Sequence, residues 1–216
     1  MPKSALFRNW LIAFVVCGAS ALFCINHVDR PVADYAHVHL IQTVSVGLLD
    51  RMLTGLALIA GLAFVFLIAA GCWKIARHSL PQWTEVPLVC SWSLMWSMAS
   101  AEVLKRVFGR ADPDLWTGPT PGGPHLGVYG FHLLRNGTQF ASFPSGTMSV
   151  AAAVLAVLWI MLPRERWFWA IAFALIGVSL VTTNSHFVSD VIAGAFLGSL
   201  LGWLTAILLR VSDARP

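Results

Sequence analysis

Six stretches of the chain are almost uninterruptedly apolar: about 10–26, 53–73, 86–104, 148–163, 167–185 and 191–209. Crossing the hydrocarbon core of a bilayer takes roughly 20 such residues in a helix. Each run approaches or meets that length, and the short fourth run can extend backward through Gly146. The pattern predicts an all-α polytopic membrane protein with six transmembrane helices in one bundle, residues 1–216 forming a single membrane domain. Trp10, Trp73, Trp83 and Trp167 lie near run ends, where an amphipathic ring favours the interface. Lys3 and Arg8 before the first run suit a leader peptide, but the nearest small-residue pattern, Ala19 and Ala21, lies inside the apolar stretch. No cleavage is therefore expected. Gly194, Gly198 and Gly202 recur every four residues in the last run, which predicts a face for close helix packing.

Two segments do not span. Residues 27–52 mix His27, Asp29, Arg30, Asp34, His37 and His39 with apolar residues and predict a short interfacial helix. Residues 105–147 form the one long polar stretch, rich in glycine and proline at Gly118, Pro119, Pro121, Gly122, Gly123 and Pro124. A loop of that length in a compact bundle is more often functional than idle. Asn136-Gly137-Thr138 is a formal glycosylation triplet that chance alone readily supplies.

Apolar residues make up 57% of the chain and charged ones 11%, too much apolar surface for a soluble globule to hide. The net charge of +4 forms no nucleic-acid stripe, because the cations sit in short loops as topology signals do. Six spans put both termini on one side, with Lys3, Arg8, Lys74, Arg77, Arg164, Arg166, Arg210 and Arg215 against Glu85, Glu165 and Asp213. On the other side, Arg30, Arg51, Lys105, Arg106, Arg110 and Arg135 are diluted by Asp29, Asp34, Asp50, Asp112 and Asp114. The positive-inside rule then makes the termini cytoplasmic and the long loop external, which is periplasmic for a bacterial inner membrane. Cys17, Cys24, Cys72 and Cys90 read as packing residues, since no close Cys-x-x-Cys pair or zinc-like His/Cys spacing occurs. No metal or cofactor is expected, and nothing in the chain specifies an oligomeric state.

That topology gathers four polar features at the outer face. Lys105 ends the third span and Pro144-Ser145-Gly146-Thr147 opens the fourth; Asn184-Ser185-His186 ends the fifth and Asp190 starts the sixth. Singly, each has a plain reading: a snorkelling lysine, a helix cap at Ser145, a histidine bound to a carbonyl, an acid at a helix start. Together they make an anion-handling set. A helix start at Ser145-Gly146-Thr147 offers backbone N–H groups to a phosphate oxygen, and Lys105 adds positive charge. His186 and Asp190 are four apart, so one turn can orient the imidazole with the carboxylate.

Across roughly residues 50–209 the chain resembles the type 2 phosphatidic acid phosphatase and vanadium haloperoxidase superfamily, with the motif region at about 104–194. Lys105-Arg106-Val107-Phe108-Gly109-Arg110-Ala111-Asp112-Pro113 resembles the first motif, a lysine, six residues, then Arg-Pro. Ser142-Phe143-Pro144-Ser145-Gly146-Thr147 resembles the second, whose pattern is Pro-Ser-Gly-His. Ser179-Leu180 followed by His186 and Asp190 resembles the third: Ser-Arg, five residues, His, three residues, Asp. The resemblance implies a membrane-embedded enzyme that hydrolyses a lipid phosphate or diphosphate without a metal. His186 would be the nucleophile, forming a phosphohistidine, and Asp190 would orient it. Lys105, Ser145 and Gly146 would bind the phosphate.

Three positions depart from the motifs. Asp112 and Leu180 stand where the family has arginine, and Thr147 where it has the histidine that protonates the leaving group. Thr147 stays in the phosphate-binding set as part of the helix start. Arg110 is a candidate substitute cation or a structural partner of Asp112 or Asp114. His132, and less readily His125, are candidate substitute acids or plain loop residues. The expected function is a lipid phosphatase with its site at the outer leaflet; the alternative is a weakened or inactive homologue that binds a lipid headgroup. A transporter is disfavoured because no run carries an ionisable residue at mid-membrane depth.

Overall fold

The computed structural model describes residues 3–40, 46–77, 80–118, 124–135 and 137–213. Pro119, Pro121, Gly122, Gly123 and Asn136, singled out in the loop, lie outside the described residues. Every regular element described is helical: α1 (Lys3–His27), α2 (Asp29–Tyr35), α3 (Val46–Arg77), α4 (Glu85–Phe108), α5 (Pro113–Thr117), α6 (Gly146–Met161), α7 (Arg166–Thr182) and α8 (Val188–Asp213). Each apolar run falls on one of α1, α3, α4, α6, α7 and α8, as expected where a backbone without water must satisfy its amides internally. Among the described residues, Phe7–His27, Pro163–Thr182 and Val188–Leu209 are long and apolar enough to cross a membrane. α6 is 16 residues long, about 24 Å at 1.5 Å per residue, and is a shorter apolar helix. α4 buries three serines, Ser91, Ser93 and Ser97.

The core centres on α6, packed chiefly on α8 and then on α4, with α1 against α8 and α7 against α6. The glycine face expected in the last run is real. A Cβ on Gly198 would lie 2.0 Å from the Ser149 carbonyl oxygen, and one on Gly202 2.2 Å from that of Ala153. The α6 and α8 backbones therefore approach more closely than any side chain would permit. Met148, Ala152 and Leu180 form one buried cluster, and Val89, Val157 and Ala206 another.

Helix ends follow local chemistry. α4 stops at Gly109, whose left-handed backbone (φ 54°) donates its N–H to the Lys105 carbonyl at 2.8 Å. α6 starts at Ser145, whose Oγ accepts the Met148 N–H at 3.3 Å. α7 ends in a turn through Asn184 (φ 53°), a residue type that tolerates that region. These ends meet at one face of the bundle with the start of α2. Within residues 27–40 the expected short helix is α2. α2 and the wide π turn Ala36–Leu40 tuck inward, with Asp29, Ala33, Ala36 and His37 buried.

Candidate active site

Lys105 leaves the last turn of α4 and crosses to the start of α6. Its Nζ lies 2.9 Å from where a Cβ on Gly146 would be, so the ammonium rests against bare backbone. It donates to Glu102 Oε1 at 2.8 Å from a position 18% exposed. The first amides of a helix lack intrahelical acceptors, so the Gly146-Thr147 turn and Lys105 face one space with convergent positive character. Ser145 is fully buried: its Oγ caps α6, its N–H donates to the Asp190 carbonyl at 3.0 Å, and its own carbonyl accepts Ser149 Oγ at 2.7 Å. Its contribution is to place the turn.

His186 sits in the turn between α7 and α8, its N–H bonded to the Leu180 carbonyl at 3.2 Å. Nδ1 lies 3.5 Å from Ser142 Oγ and 3.9 Å from Asp190 Oδ2. Burial, reinforced by the positive charges of Lys105 and Arg110, pushes its pKa down from 6.5 to about 3. The imidazole is therefore neutral at pH 7, with a lone pair to use. Asp190 is fully buried and well supplied with donors: Ser142 Oγ at 2.6 Å and the Phe187 N–H at 3.0 Å on Oδ2, and Arg110 on Oδ1.

Arg110 is fully buried beneath this pair. One terminal nitrogen donates to Asp190 and to Ser189 Oγ (2.5 Å); the other donates to Asp29 Oδ2 (2.7 Å) and the Tyr129 hydroxyl (3.2 Å). Asp29 also accepts the Ser189 N–H at 3.0 Å, and Tyr129 donates to the Ile25 carbonyl at 2.7 Å. Two carboxylates thus share one guanidinium. Arg110 takes Asp29 and Asp190 as its partners; Asp112 and Asp114 are not among them.

The other expected residues divide between the site and its surroundings. Thr147 is partly exposed on the first turn of α6. The Asp112 carboxyl is pushed up to about 7 by burial and by the charges of Asp190 and Asp114. Leu180 points into the apolar cluster with Met148 and Ala152 rather than into the site, and is 2% exposed. His132 packs its ring on Phe140 with Nε2 buried and without a hydrogen-bond partner, and His125 sits 3.7 Å from Asp34 at the loop surface. Neither bonds to His186. Sequence reasoning missed Asp29, Ser142 and Tyr129. A signal existed for Asp29, an acid flush against the end of an apolar run. Ser142 opens the stretch that carries the Pro-Ser-Gly pattern, but the pattern assigns it no role.

The site thus joins a neutral histidine, a carboxylate behind it, and a lysine over a helix start, in the order the three motifs require. A family model for the PAP2 superfamily matches residues 87–212. The chain belongs to the PAP2 superfamily. Among curated proteins it is similar to the lipid A 1-phosphatase of Rhizobium johnstonii, 32% identical over 116 residues, covering 54% of this chain and 45% of the relative. That of Rhizobium etli is 32% identical over 116 residues, 54% and 47% of the two chains. That of Porphyromonas gingivalis is 31% identical over 95 residues, 40% of this chain and 21% of the relative. The chain spans about half the length of the Rhizobium proteins it matches. Its fold is similar to the crystal structure of a transmembrane PAP2 type phosphatidylglycerolphosphate phosphatase from Bacillus subtilis, at a TM-score of 0.54. That likeness covers 95% of this chain and 97% of the other at 20% identity. This PAP2 chain is an integral membrane protein.

Proposed function

We propose that the chain is a metal-independent phosphatase of a lipid phosphate or diphosphate, held by six spans with cytoplasmic termini and its site at the outer leaflet. The observation that carries this reading is the convergence of Lys105, the Gly146-Thr147 turn and neutral His186 at one point of the bundle. Nδ1 faces Ser142 and Asp190, which leaves Nε2 as the attacking nitrogen. Nε2 forms a bond to phosphorus while the bond from phosphorus to the lipid oxygen breaks, and that oxygen leaves with a proton from solvent. Asp190 stabilises the charge that develops on the imidazole. Water then adds to phosphorus, the P–N bond breaks, and phosphate departs from Lys105 and the helix start.

One specific observation favours a second reading, a headgroup-binding homologue with little turnover. Leu180 lies in the apolar core and Asp112 and Thr147 hold the other two motif positions, so the residues that elsewhere bind the phosphate and protonate the leaving group are replaced. Phosphate release from a panel of lipid phosphates by the purified chain in neutral detergent decides between them. Turnover that vanishes in His186→Ala, with an acid-labile phosphorylated protein trapped from the native chain, supports the enzyme. Full activity in His186→Ala removes the mechanism, and binding without release leaves the second reading.

A further inference from the structure

We infer that a second anion subsite adjoins the first, in a basic cavity between the end of α4 and the loop before α6, and that it takes a second phosphate of the same substrate. This rests on the phosphate-handling role proposed for Lys105. The cavity measures about 320 Å³, within the roughly 300–1,000 Å³ range of small-ligand pockets, and Glu102, Lys105, Arg106, Arg135, Thr138 and Phe140 help to line it.

Its wall is built by the fold. The His132 N–H donates to the Gly109 carbonyl at 2.9 Å and the Leu134 N–H to that of Val107 at 3.1 Å, strapping the turn at 131–135 to the end of α4. The same turn brings Arg135 beside the cavity with its guanidinium 4.0 Å over the ring of Phe140, itself 9% exposed. Stacking fixes the plane of the fork without using its donors. Glu102 is engaged by Lys105, and among the described residues neither Arg106 nor Arg135 has an ion-pair partner. Two cations without ion-pair partners among the described residues therefore line a cavity that also reaches Lys105, and Lys105 in turn lies against Gly146 at the helix start. A shared lysine between two anion positions suits phosphates that are covalent neighbours, as in a diphosphate, or that sit on one headgroup.

The test uses the full chain in uncharged detergent, with inorganic pyrophosphate and inorganic phosphate as calorimetric probes. Pyrophosphate should bind at least about tenfold more tightly than phosphate, since each charge-assisted contact is worth about that factor or more. Arg106→Gln with Arg135→Gln should abolish the preference, and Lys105→Ala should weaken both probes. Equal affinity of the two probes in the native chain would overturn the subsite. So would a double variant that keeps the preference but loses affinity for anionic over zwitterionic vesicles, because the arginines would then face the membrane surface. Repeating the binding in His186→Ala separates this inference from the proposed activity. In the native chain, a pyrophosphate preference without turnover of any lipid phosphate sinks the enzyme and leaves the subsite, while turnover without a preference does the reverse.

Discussion

Arg106 and Arg110 leave the same helix end four residues apart and meet opposite fates. Arg110 is wholly buried, held by Asp29 and Asp190 with Ser189 and Tyr129 around it. Arg106 lines an open cavity with no ion-pair partner among the described residues. The same chemical group serves as structure in one place and as a free cation in the other. Counting cations in a motif therefore overstates what a ligand meets, because burial requires a buried charge to be matched from within.

If the inner layer is structural, its removal should be felt in stability first. Arg110→Met strands two buried carboxylates and should cost about 3–5 kcal/mol in denaturant unfolding in detergent. Arg110→Lys should recover little, since one ammonium cannot reproduce the fork that reaches Asp29 and Asp190 together. A loss near zero would show that the network is not built as described.

Leu180→Arg separates a motif position from a site position. Restoring the family's arginine here puts a guanidinium into the cluster of Met148 and Ala152, at a cost of roughly 3 kcal/mol. Unchanged stability together with tighter phosphate binding would mean that position 180 can turn to the site after all. The outer layer should behave in the contrary way. Lys105→Ala should change stability by less than about 1 kcal/mol, its ion-pair partner Glu102 being half exposed. Phosphate affinity should nonetheless fall at least about tenfold in calorimetry.

A pH dependence should accompany these effects. Asp112 has its folded pKa raised to about 7, so between about pH 4 and 7 the folded state binds more protons than the unfolded chain. Its contribution to stability is present at low pH and is lost as pH rises through 7. Asp112→Asn should flatten that part of the stability profile. In the native chain phosphate should also bind less well above pH 7, once a carboxylate faces the anion. An unchanged profile in Asp112→Asn would place the titration elsewhere.

Much of the site was legible because the family motifs are local and the spans bring their ends together. Lys105 and Gly146 meet, and His186 and Asp190 stand four residues apart on one turn, as their spacing implied. Arg110 was legible only as a cation. Its partner Asp29 is 81 residues away and lies outside the stretch matched to the family. No spacing rule connects residues brought together by three separate helix ends. His132 was legible only as a polar residue of the loop, because residue type says nothing of the packing of its ring on Phe140.

By itself, the order of apolar and polar residues determined that this chain is helical and lies in a membrane. Backbone amides in an apolar medium have one local way to be satisfied, and the period of the pattern records it. Only the tertiary structure decided which charges are spent. The pairing of Arg110 with Asp29 and Asp190, the turning of Leu180 into the core and the opening of a cavity beside Arg106 and Arg135 depend on how α1, α4, α6 and α8 pack. Coulomb energy and desolvation act through space at a few ångströms, and residue order carries no measure of that distance until the chain has folded.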